Sequence, residues 1–140
     1  YSLYRLAILG LLLEKPFEQV MLRFLTAWEY RPIRAEPLYE LARLFRNAGH
    51  PRIGYLYAKM ALGCTYPEND ILFIATDVYD WKIADEIAAG AFYVHQWEEG
   101  YNACKYILDN NKDKIEKSME TKGSSKDTKR NVKKRKARSK

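Results

Sequence analysis

The chain has 140 residues, a formal net charge of +6 and two cysteines. This length suits one folded domain, and two cysteines are too few for the disulfide framework of a small secreted protein. The apolar run Leu6–Leu13 falls well short of the roughly 20 residues that span a bilayer, although a truncated signal anchor is an alternative interpretation. We therefore expect no transmembrane segment and a reducing, cytoplasmic compartment. The first residue, Tyr1 rather than Met, would fit a fragment or a processed product.

The basic charge is concentrated at the C-terminal end. Residues 112–140 contain 13 Lys/Arg and 4 Asp/Glu, whereas residues 1–111 contain 11 and 14. Every Trp, Phe and Tyr lies before residue 112. A segment without large apolar side chains cannot offset the entropy that it loses on folding. The composition therefore predicts a helical-repeat domain at 1–111 and a disordered Lys/Arg-rich tail at 112–140.

Apolar residues recur with helical periodicity from the start of the chain. Proline is tolerated in a first helical turn and glycine favours a helix end, so these residues mark the boundaries. Four helices are predicted: about Ser2 to Glu14, Phe17 to Tyr30, Glu36 to Gly49, and Pro51 to before Tyr66. The expected buried faces are Val20, Phe24, Ala27 and Trp28 in the second helix, Leu38, Leu41, Ala42 and Phe45 in the third, and Ile53, Tyr57, Met60, Ala61 and Cys64 in the fourth.

One pattern of large and small apolar residues occurs twice in these helices. Ala27 in the first copy corresponds to Ala61 in the second, 34 residues later. A period of about 34 residues is typical of the tetratricopeptide helix–turn–helix repeat. Such units bury their apolar faces against neighbouring units, which favours a scaffold that presents a surface. The copies are Tyr4, Ala7, Leu11, Val20, Phe24, Ala27 and Pro32, and then Leu38, Leu41, Phe45, Gly54, Ala58, Ala61 and Pro67.

The period breaks after Pro67. Gly100 follows Gly54 by 46 residues, about a dozen more than the repeat predicts. The surplus lies in residues 68–80, whose apolar run 71–74 would suit a buried strand, a helical turn or a packed loop. Gly90, within the fifth helix, predicts a close approach between helices. The fold class is therefore expected to be all-α, a tetratricopeptide-like array of about three antiparallel helix hairpins. The fifth and sixth helices are indicated by Ile83, Ile87, Ala91 and Val94, and by Trp97, Tyr101, Cys104 and Leu108.

Two segments are more specific than a generic repeat: RPIRAEPLYELARLFRNAG from Arg31 and YPENDILFIATDVYDWKIADEI from Tyr66. They resemble the tetratricopeptide-like helical region that accompanies many glycosyltransferases of bacteria and large DNA viruses, over about Phe17 to Asn110. The resemblance implies a module beside a sugar-transferring domain, where it would position an acceptor or a partner. The matching positions are Arg31, Pro32, Arg34, Ala35, Glu36, Leu38, Tyr39, Leu41 and Ala42, then Tyr66, Pro67, Asp70, Leu72, Phe73, Val78, Tyr79, Trp81, Asp85 and Glu86.

Catalysis is not expected from this chain. Metal-dependent glycosyltransferases commonly bind the metal of the nucleotide sugar at an Asp-x-Asp element, whereas Asp77 and Asp80 are three residues apart. The sequence also lacks the alternation of strands and helices that builds a nucleotide-sugar domain. We therefore expect a non-enzymatic interaction module, without a cofactor, whose glycosyltransferase domain is not in this chain.

The polar face of the third helix is the candidate binding surface. In tetratricopeptide repeats the first helix of each pair lines the concave groove, so the resemblance places this face in a groove. Arginine and asparagine there could hold a carboxylate or phosphate of a protein partner. The alternative is a solvated face with charge pairs such as Glu36–Arg43. Arg31, Arg34 and Glu36 form a second polar group at a turn, where capping and ion pairing are expected rather than ligand contact. The candidate groove residues are Tyr39, Arg43, Arg46, Asn47, Lys82 and Asp85.

Metal binding is not predicted. The cluster Asp70, Asp77, Asp80 and Asp85 lacks the alternate ligand spacing and the glycine of a calcium loop, so helix capping explains it better. His50, His95, Cys64 and Cys104 show no zinc spacing. Both cysteines lie on apolar faces, where a small buried thiol is the usual arrangement.

The tail predicts a separate, electrostatic partner. Residues 129–140 contain eight Lys/Arg and no aromatic residue. Such a run attracts nucleic acid or an anionic surface with little sequence selectivity, and a solubilising end is the alternative. The run Lys133, Lys134, Arg135 and Lys136 also suits nuclear import. A second function is therefore open, namely a protein-binding adaptor with a basic tail.

Overall fold

A computed structural model describes residues 1–70 and 73–112. These residues form helices and connecting turns without a β-strand, which confirms the all-α prediction. None of the helices in these two ranges is long and apolar enough to cross a membrane. The six helices are α1 (Ser2–Leu12), α2 (Phe17–Tyr30), α3 (Glu36–Asn47), α4 (Pro51–Leu62), α5 (Ile83–Ala91) and α6, which is helical over 97–112.

Proline and glycine set the boundaries of the central helices, as the sequence predicts. α3 has Pro37 in its first turn, and Pro51 opens α4. Gly49 ends the turn after α3 with φ of +87°, and its amide donates to the carbonyl of Arg46 at 3.1 Å. Other residues rarely adopt this φ, so Gly49 allows the chain to reverse between α3 and α4.

The core lies where each helix packs on the next in the chain. Phe24 of α2 and Leu41 of α3 are fully buried, and the predicted faces of both helices are confirmed, with Trp28 half-buried. The predicted face of α4 is partly wrong, because Ile53 and Met60 are 39% and 46% exposed. α4 packs on both α3 and α5, so the residues that point toward those two helices are buried instead. They are Gly54, Tyr55, Ala58 and Ala61, three of which belong to the repeat pattern.

Two glycines allow these helices to approach closely. A Cβ at Gly54 would lie 2.7 Å from the carbonyl oxygen of Ala42, in the backbone of α3. At Gly90 a Cβ would lie 2.8 Å from the Cβ of Tyr55, so the predicted close approach at Gly90 is confirmed. Both distances are shorter than van der Waals contact. Side chains at these positions would therefore push α3, α4 and α5 apart.

The interruption after α4 is not a regular hairpin turn. Residues 71 and 72 lie outside the described residues, and Phe73 and Ile74 belong to neither a helix nor a strand. Phe73 is 59% exposed, with φ of +64°. The chain then enters a π-helical turn, Val78–Lys82, that leads directly into α5, and a 3₁₀ turn, Phe92–Val94, follows α5. Single π turns of this kind are frequent at functional sites.

The chain divides into two compact units, Tyr1–Ile107 and Leu108–Lys140. Only residues 108–112 of the second unit are described. The domain boundary that the composition predicts at 111/112 stays a prediction, and so does the disorder of the tail, because residues 113–140 lie outside the described residues.

Candidate functional site

Side chains from α1, α3 and the α5 region meet on one side of the Tyr1–Ile107 unit. Contacts between residues about 40 positions apart in the sequence connect them. This arrangement brings together the first, third and fifth helices of the chain. We term the set the first-helix face; it consists of Tyr4 from α1, Tyr39, Glu40, Arg43 and Arg46 from α3, and Lys82 and Glu86 from the α5 region.

Glu40 lies at the centre of the first-helix face and is only 7% exposed. The hydroxyl of Tyr4 donates a long hydrogen bond of 3.5 Å to its Oε1. Its Oε2 lies 3.3 Å from Nη2 of Arg43 but accepts no hydrogen bond within the described part of the chain. Burial raises the pKa of Glu40 above its ordinary value, and the charges of Arg43 and Lys82 only partly oppose this shift. A buried carboxylate oxygen therefore retains the capacity to accept a hydrogen bond.

Arg46 and Glu86 connect α3 to α5. Nε and Nη2 of Arg46 donate to the two carboxylate oxygens of Glu86 at 2.7 and 2.9 Å. Glu86 is 4% exposed, whereas the side chain of Arg46 is 36% exposed. The hydrogen bonds to Glu86 raise the pKa of Arg46. This planar, bidentate geometry is the strongest form of an Arg–carboxylate pair, and it fixes the distance between the two helices.

The π-helical turn places Lys82 over the end of the same face. Its Nζ lies 5.8 Å from the ring centroid of Tyr39 and 2.5 Å from a carboxylate oxygen of Asp77. Tyr39 is 6% exposed, and burial raises the pKa of its hydroxyl. Lys82 is therefore held by an ion pair on one side and by an aromatic ring on the other.

The structure brings together four of the six predicted groove residues: Tyr39, Arg43, Arg46 and Lys82. The remaining two, Asn47 at the end of α3 and Asp85 in α5, are exposed at its margin. Arg46 is already bound to a carboxylate of the chain itself, which occupies the hydrogen bonds that were expected for a ligand. Of the arginines predicted in the groove, Arg43 has the most exposed side chain, at 40%.

Glu40, the residue at the centre of the face, is not among the predicted groove residues. The predicted charge pair Glu36–Arg43 is wrong, because Arg43 pairs with Glu40 and Glu36 pairs with Arg34. A signal was available in the sequence. Glu40 precedes Arg43 by three positions, the spacing at which oppositely charged side chains meet on a helix.

A second polar group lies at the turn before α3 and in the interrupted segment, and we term it the turn cluster (Arg31, Arg34, Glu36, Asp70 and Tyr79). Arg34 donates to both carboxylate oxygens of Glu36, at 2.9 and 2.5 Å, and to Asp70 at 2.9 Å. It also donates to the carbonyl of Phe73 at 2.8 Å, and Arg31 pairs with Asp70 from the other side. The ion pairing predicted at this turn is confirmed, whereas the predicted capping is wrong, because the start of α3 has no side-chain cap hydrogen bond.

Tyr79 completes the turn cluster. Its hydroxyl donates to Glu36 at 2.9 Å and accepts the backbone N–H of Ala35 at 3.0 Å. Burial by itself would raise the pKa of Glu36, but the hydrogen bonds from Arg34 and Tyr79 outweigh it, and the pKa is lowered. Burial and the negative charge of Glu36 raise the pKa of Tyr79. These contacts tie the interrupted segment to the start of α3.

The cysteines and aspartates do not converge. Cys64 is half-buried, and Cys104 is exposed, so the expectation of a buried thiol is wrong for Cys104. Asp70 and Asp77 each pair with a basic side chain of the chain itself. Among the residues that the structure describes, no group of three or more His, Cys, Asp or Glu side chains is placed to hold a metal ion.

An open apolar cleft of about 390 Å³ lies between α4, α5 and α6. Tyr79 and Cys64 border it, and the ion pair between Lys59 and Glu99 closes one edge at 3.0 Å. The hydroxyl of Tyr55 also donates to Glu99. Burial and this hydrogen bond raise the pKa of Tyr55 to about 12. The cleft contributes nothing to the first-helix face, which is formed by other residues.

Comparison with protein-family models, with curated proteins and with solved structures found no match to this chain. The predicted import residues Lys133, Lys134, Arg135 and Lys136 lie outside the described residues, as does the rest of the basic run.

Proposed function

We propose that this chain is a non-catalytic interaction module, in which the helices form a tetratricopeptide-like array of three antiparallel hairpins. The first-helix face carries the proposal. In such an array the first helices of successive units line one groove, and here the side chains of α1, α3 and α5 meet in that order. The repeated apolar pattern, in which Ala27 corresponds to Ala61, also supports the array, because both residues are buried where consecutive helices pack.

The first-helix face would bind an extended or helical segment of a protein partner. Glu40 lies beneath the face, with no hydrogen bond to its buried Oε2 within the described residues, and Arg43 beside it has an exposed guanidinium that a partner can reach. The guanidinium of Arg43 suits a segment that carries a carboxylate or an amide, and the buried charge of Glu40 would favour a segment that also brings a cation close to the face. The exposed charge of Arg43 would set the orientation of the bound segment, while the buried carboxylate of Glu40 would contribute specificity.

We further propose that the module belongs to, or works with, a glycosyltransferase whose catalytic domain is not in this chain. The resemblance of the segments at Arg31 and Tyr66 supports this association. The turn cluster joins these two segments through Arg34 and Asp70, so the residues that carry the resemblance also have a shared structural role.

Site-specific photo-crosslinking in the source cells tests both parts of the proposal. A benzophenone amino acid at Asn47, exposed at the margin of the first-helix face, should trap a partner, whereas the same group at Glu29, exposed on α2, should not. The trapped protein should contain a nucleotide-sugar domain, and the reading frame around this chain should encode one or lie beside one. Equal trapping at both positions would contradict the binding face, and a partner without such a domain would contradict the glycosyltransferase association.

The alternative function is a protein-binding adaptor whose basic tail attaches to nucleic acid or directs nuclear import. The eight Lys/Arg among residues 129–140 favour it. Binding of duplex RNA or DNA should then weaken steeply with salt and disappear when residues 122–140 are deleted. If the truncated chain binds equally well, the tail does not supply the affinity.

A further inference from the structure

The outer side of α1 is an apolar surface that no other described element covers. Four leucines lie there, with exposed fractions of 48% for Leu6, 52% for Leu9, 71% for Leu12 and 67% for Leu13. The other side of the same helix packs on α2 and buries Ala7 and Gly10. We term these four side chains the leucine face.

The spacing of the leucine face matches that of a helix–helix contact. Leu6 and Leu9 of α1 and Leu13, the residue directly after the helix, are separated by three and four residues, so they form one stripe. The exposed side of a helix normally carries polar residues, because an exposed apolar stripe favours association with another protein surface. α1 presents leucines instead, which points to a protein surface that covers them.

The charges at the two ends of the stripe are complementary to each other. Arg5 lies near the start of α1, where its guanidinium carbon is 5.9 Å from the ring centroid of Tyr1. Glu14 follows the end of α1 and is exposed. Neither residue forms an ion pair with another described residue. Lys15 and Glu18 lie close to Glu14 in the sequence, so this end of the stripe has a net charge of −1 and the other end has +1.

We propose that the protein self-associates through the leucine face, with α1 of one copy antiparallel to α1 of a second copy. A two-fold axis near Leu9 would place Leu6 beside Leu13 of the second copy. It would also place Arg5 beside Glu14 of the second copy, twice in the dimer. Such an interface is self-complementary, as two-fold symmetry requires. α1 has 11 residues and is therefore about 16 Å long, so the contact is small and the dimer is in reversible equilibrium with the monomer.

A lipid surface is a poorer match for the leucine face. Helices that lie on membranes usually carry several Lys or Arg on the side opposite their apolar stripe. The opposite side of α1 is instead buried in the protein. The whole of α1 contains one basic residue, Arg5.

Sedimentation velocity of the full chain over a range of concentrations tests the proposal. The wild type should show a monomer–dimer equilibrium, and Leu9→Glu should weaken it at least about tenfold, because the change places two carboxylates at the symmetry axis. Leu22→Glu is the matched control, since Leu22 is 61% exposed on α2 and outside the leucine face. A monomer at every concentration would overturn the proposal, and so would equal effects of the two substitutions.

A charge exchange tests the antiparallel orientation separately. Arg5→Glu and Glu14→Arg should each weaken the dimer, because each places like charges together, and the double variant should restore it. Both single changes agree with the dipole of α1, so they should not weaken the helix itself. A double variant as weak as the single variants would overturn the orientation.

Disulfide trapping tests whether the two-fold axis of the dimer lies near Leu9. In a Cys64→Ser, Cys104→Ser background, Leu9→Cys should form a disulfide-linked dimer on mild oxidation, and Leu22→Cys should not. Binding of the monomeric wild type to anionic phosphatidylserine vesicles, lost in Leu9→Glu, would instead assign the leucine face to a membrane and overturn the proposal.

Discussion

Glu36 and Glu40 lie one turn apart on α3 and are 2% and 7% exposed, yet their environments are opposite. Glu36 accepts hydrogen bonds from Arg34, Tyr79 and the amide of Ala75, and its pKa is lowered. Glu40 receives one long hydrogen bond, and its pKa is raised because burial dominates. The same residue type on the same helix therefore has two different roles.

The difference separates a structural cluster from a binding candidate. The carboxylate of Glu36 is fully satisfied by the chain itself, so the turn cluster connects α3 to the segment before α5. Glu40 retains a buried oxygen without a hydrogen bond in the described part of the chain, so a partner that brings a positive charge close to the face would stabilise its charged form. A buried charge alone is thus a weak sign of function, and the hydrogen-bond inventory around it is a better one.

The largest expected effect comes from Glu36→Gln. The change removes the charge that pairs with Arg34 inside the turn cluster and leaves Asp70, which also pairs with Arg31, as the only carboxylate beside the two guanidinium groups. We expect the free energy of unfolding to fall by about 3 kcal/mol, because breaking a partly buried pair leaves a charge uncompensated. Urea denaturation monitored by circular dichroism measures this loss.

The matched control is Glu29→Gln, at an exposed position on α2. It should change the free energy of unfolding by less than about 0.5 kcal/mol. If Glu36→Gln also costs less than about 1 kcal/mol, the turn cluster does not hold the two segments together.

Tyr79→Phe should have the next largest effect. It removes the hydroxyl that accepts the N–H of Ala35 and donates to Glu36, so a fully buried amide loses its partner. A loss of about 1–2 kcal/mol is expected in the same denaturation experiment. Tyr66→Phe is the control, because its ring packs against that of Tyr79 at 5.3 Å but Tyr66 is an exposed residue. Equal losses for the two variants would show that the hydrogen bonds of the Tyr79 hydroxyl to Ala35 and Glu36 do not cause the effect.

The turn cluster and the first-helix face differ in how far the sequence predicts them. The helices and the buried faces of α2 and α3 follow from periodicity, because one stripe of each faces the core. The buried face of α4 does not follow from periodicity, because α4 packs on both α3 and α5 whereas periodicity indicates a single buried direction. Pairing at Arg34 was predictable from its position at a turn. The state of Glu40 was not, because it depends on Tyr4 and Lys82, which approach from other helices.

The pH dependence of stability should distinguish the two glutamates by sign. The pKa of Glu36 is lower in the folded state, so its contribution is present above the ordinary value of 4.5 and is lost as the pH falls through the folded value. The pKa of Glu40 is higher in the folded state, so the folded protein gains stability as the pH falls from the raised value toward 4.5. Denaturation midpoints of the wild type, Glu36→Gln and Glu40→Gln between pH 3 and pH 8, about the range over which such carboxylates titrate, measure both trends. Parallel curves for the two variants would contradict the assignment.

Glu40→Gln should give the smallest effect, opposite in sign to Glu36→Gln. At neutral pH the ionised carboxylate is unfavourable in its buried position, and the amide removes that charge while it can still accept from Tyr4. The lost ion pair with Arg43 counts for little, because the Arg43 side chain is 40% exposed. We expect a gain of up to about 1 kcal/mol in the free energy of unfolding, together with weaker capture by the crosslinker at Asn47. A gain in stability with a loss of binding is typical of a residue kept for recognition. A loss of stability would instead make Glu40 a second structural carboxylate.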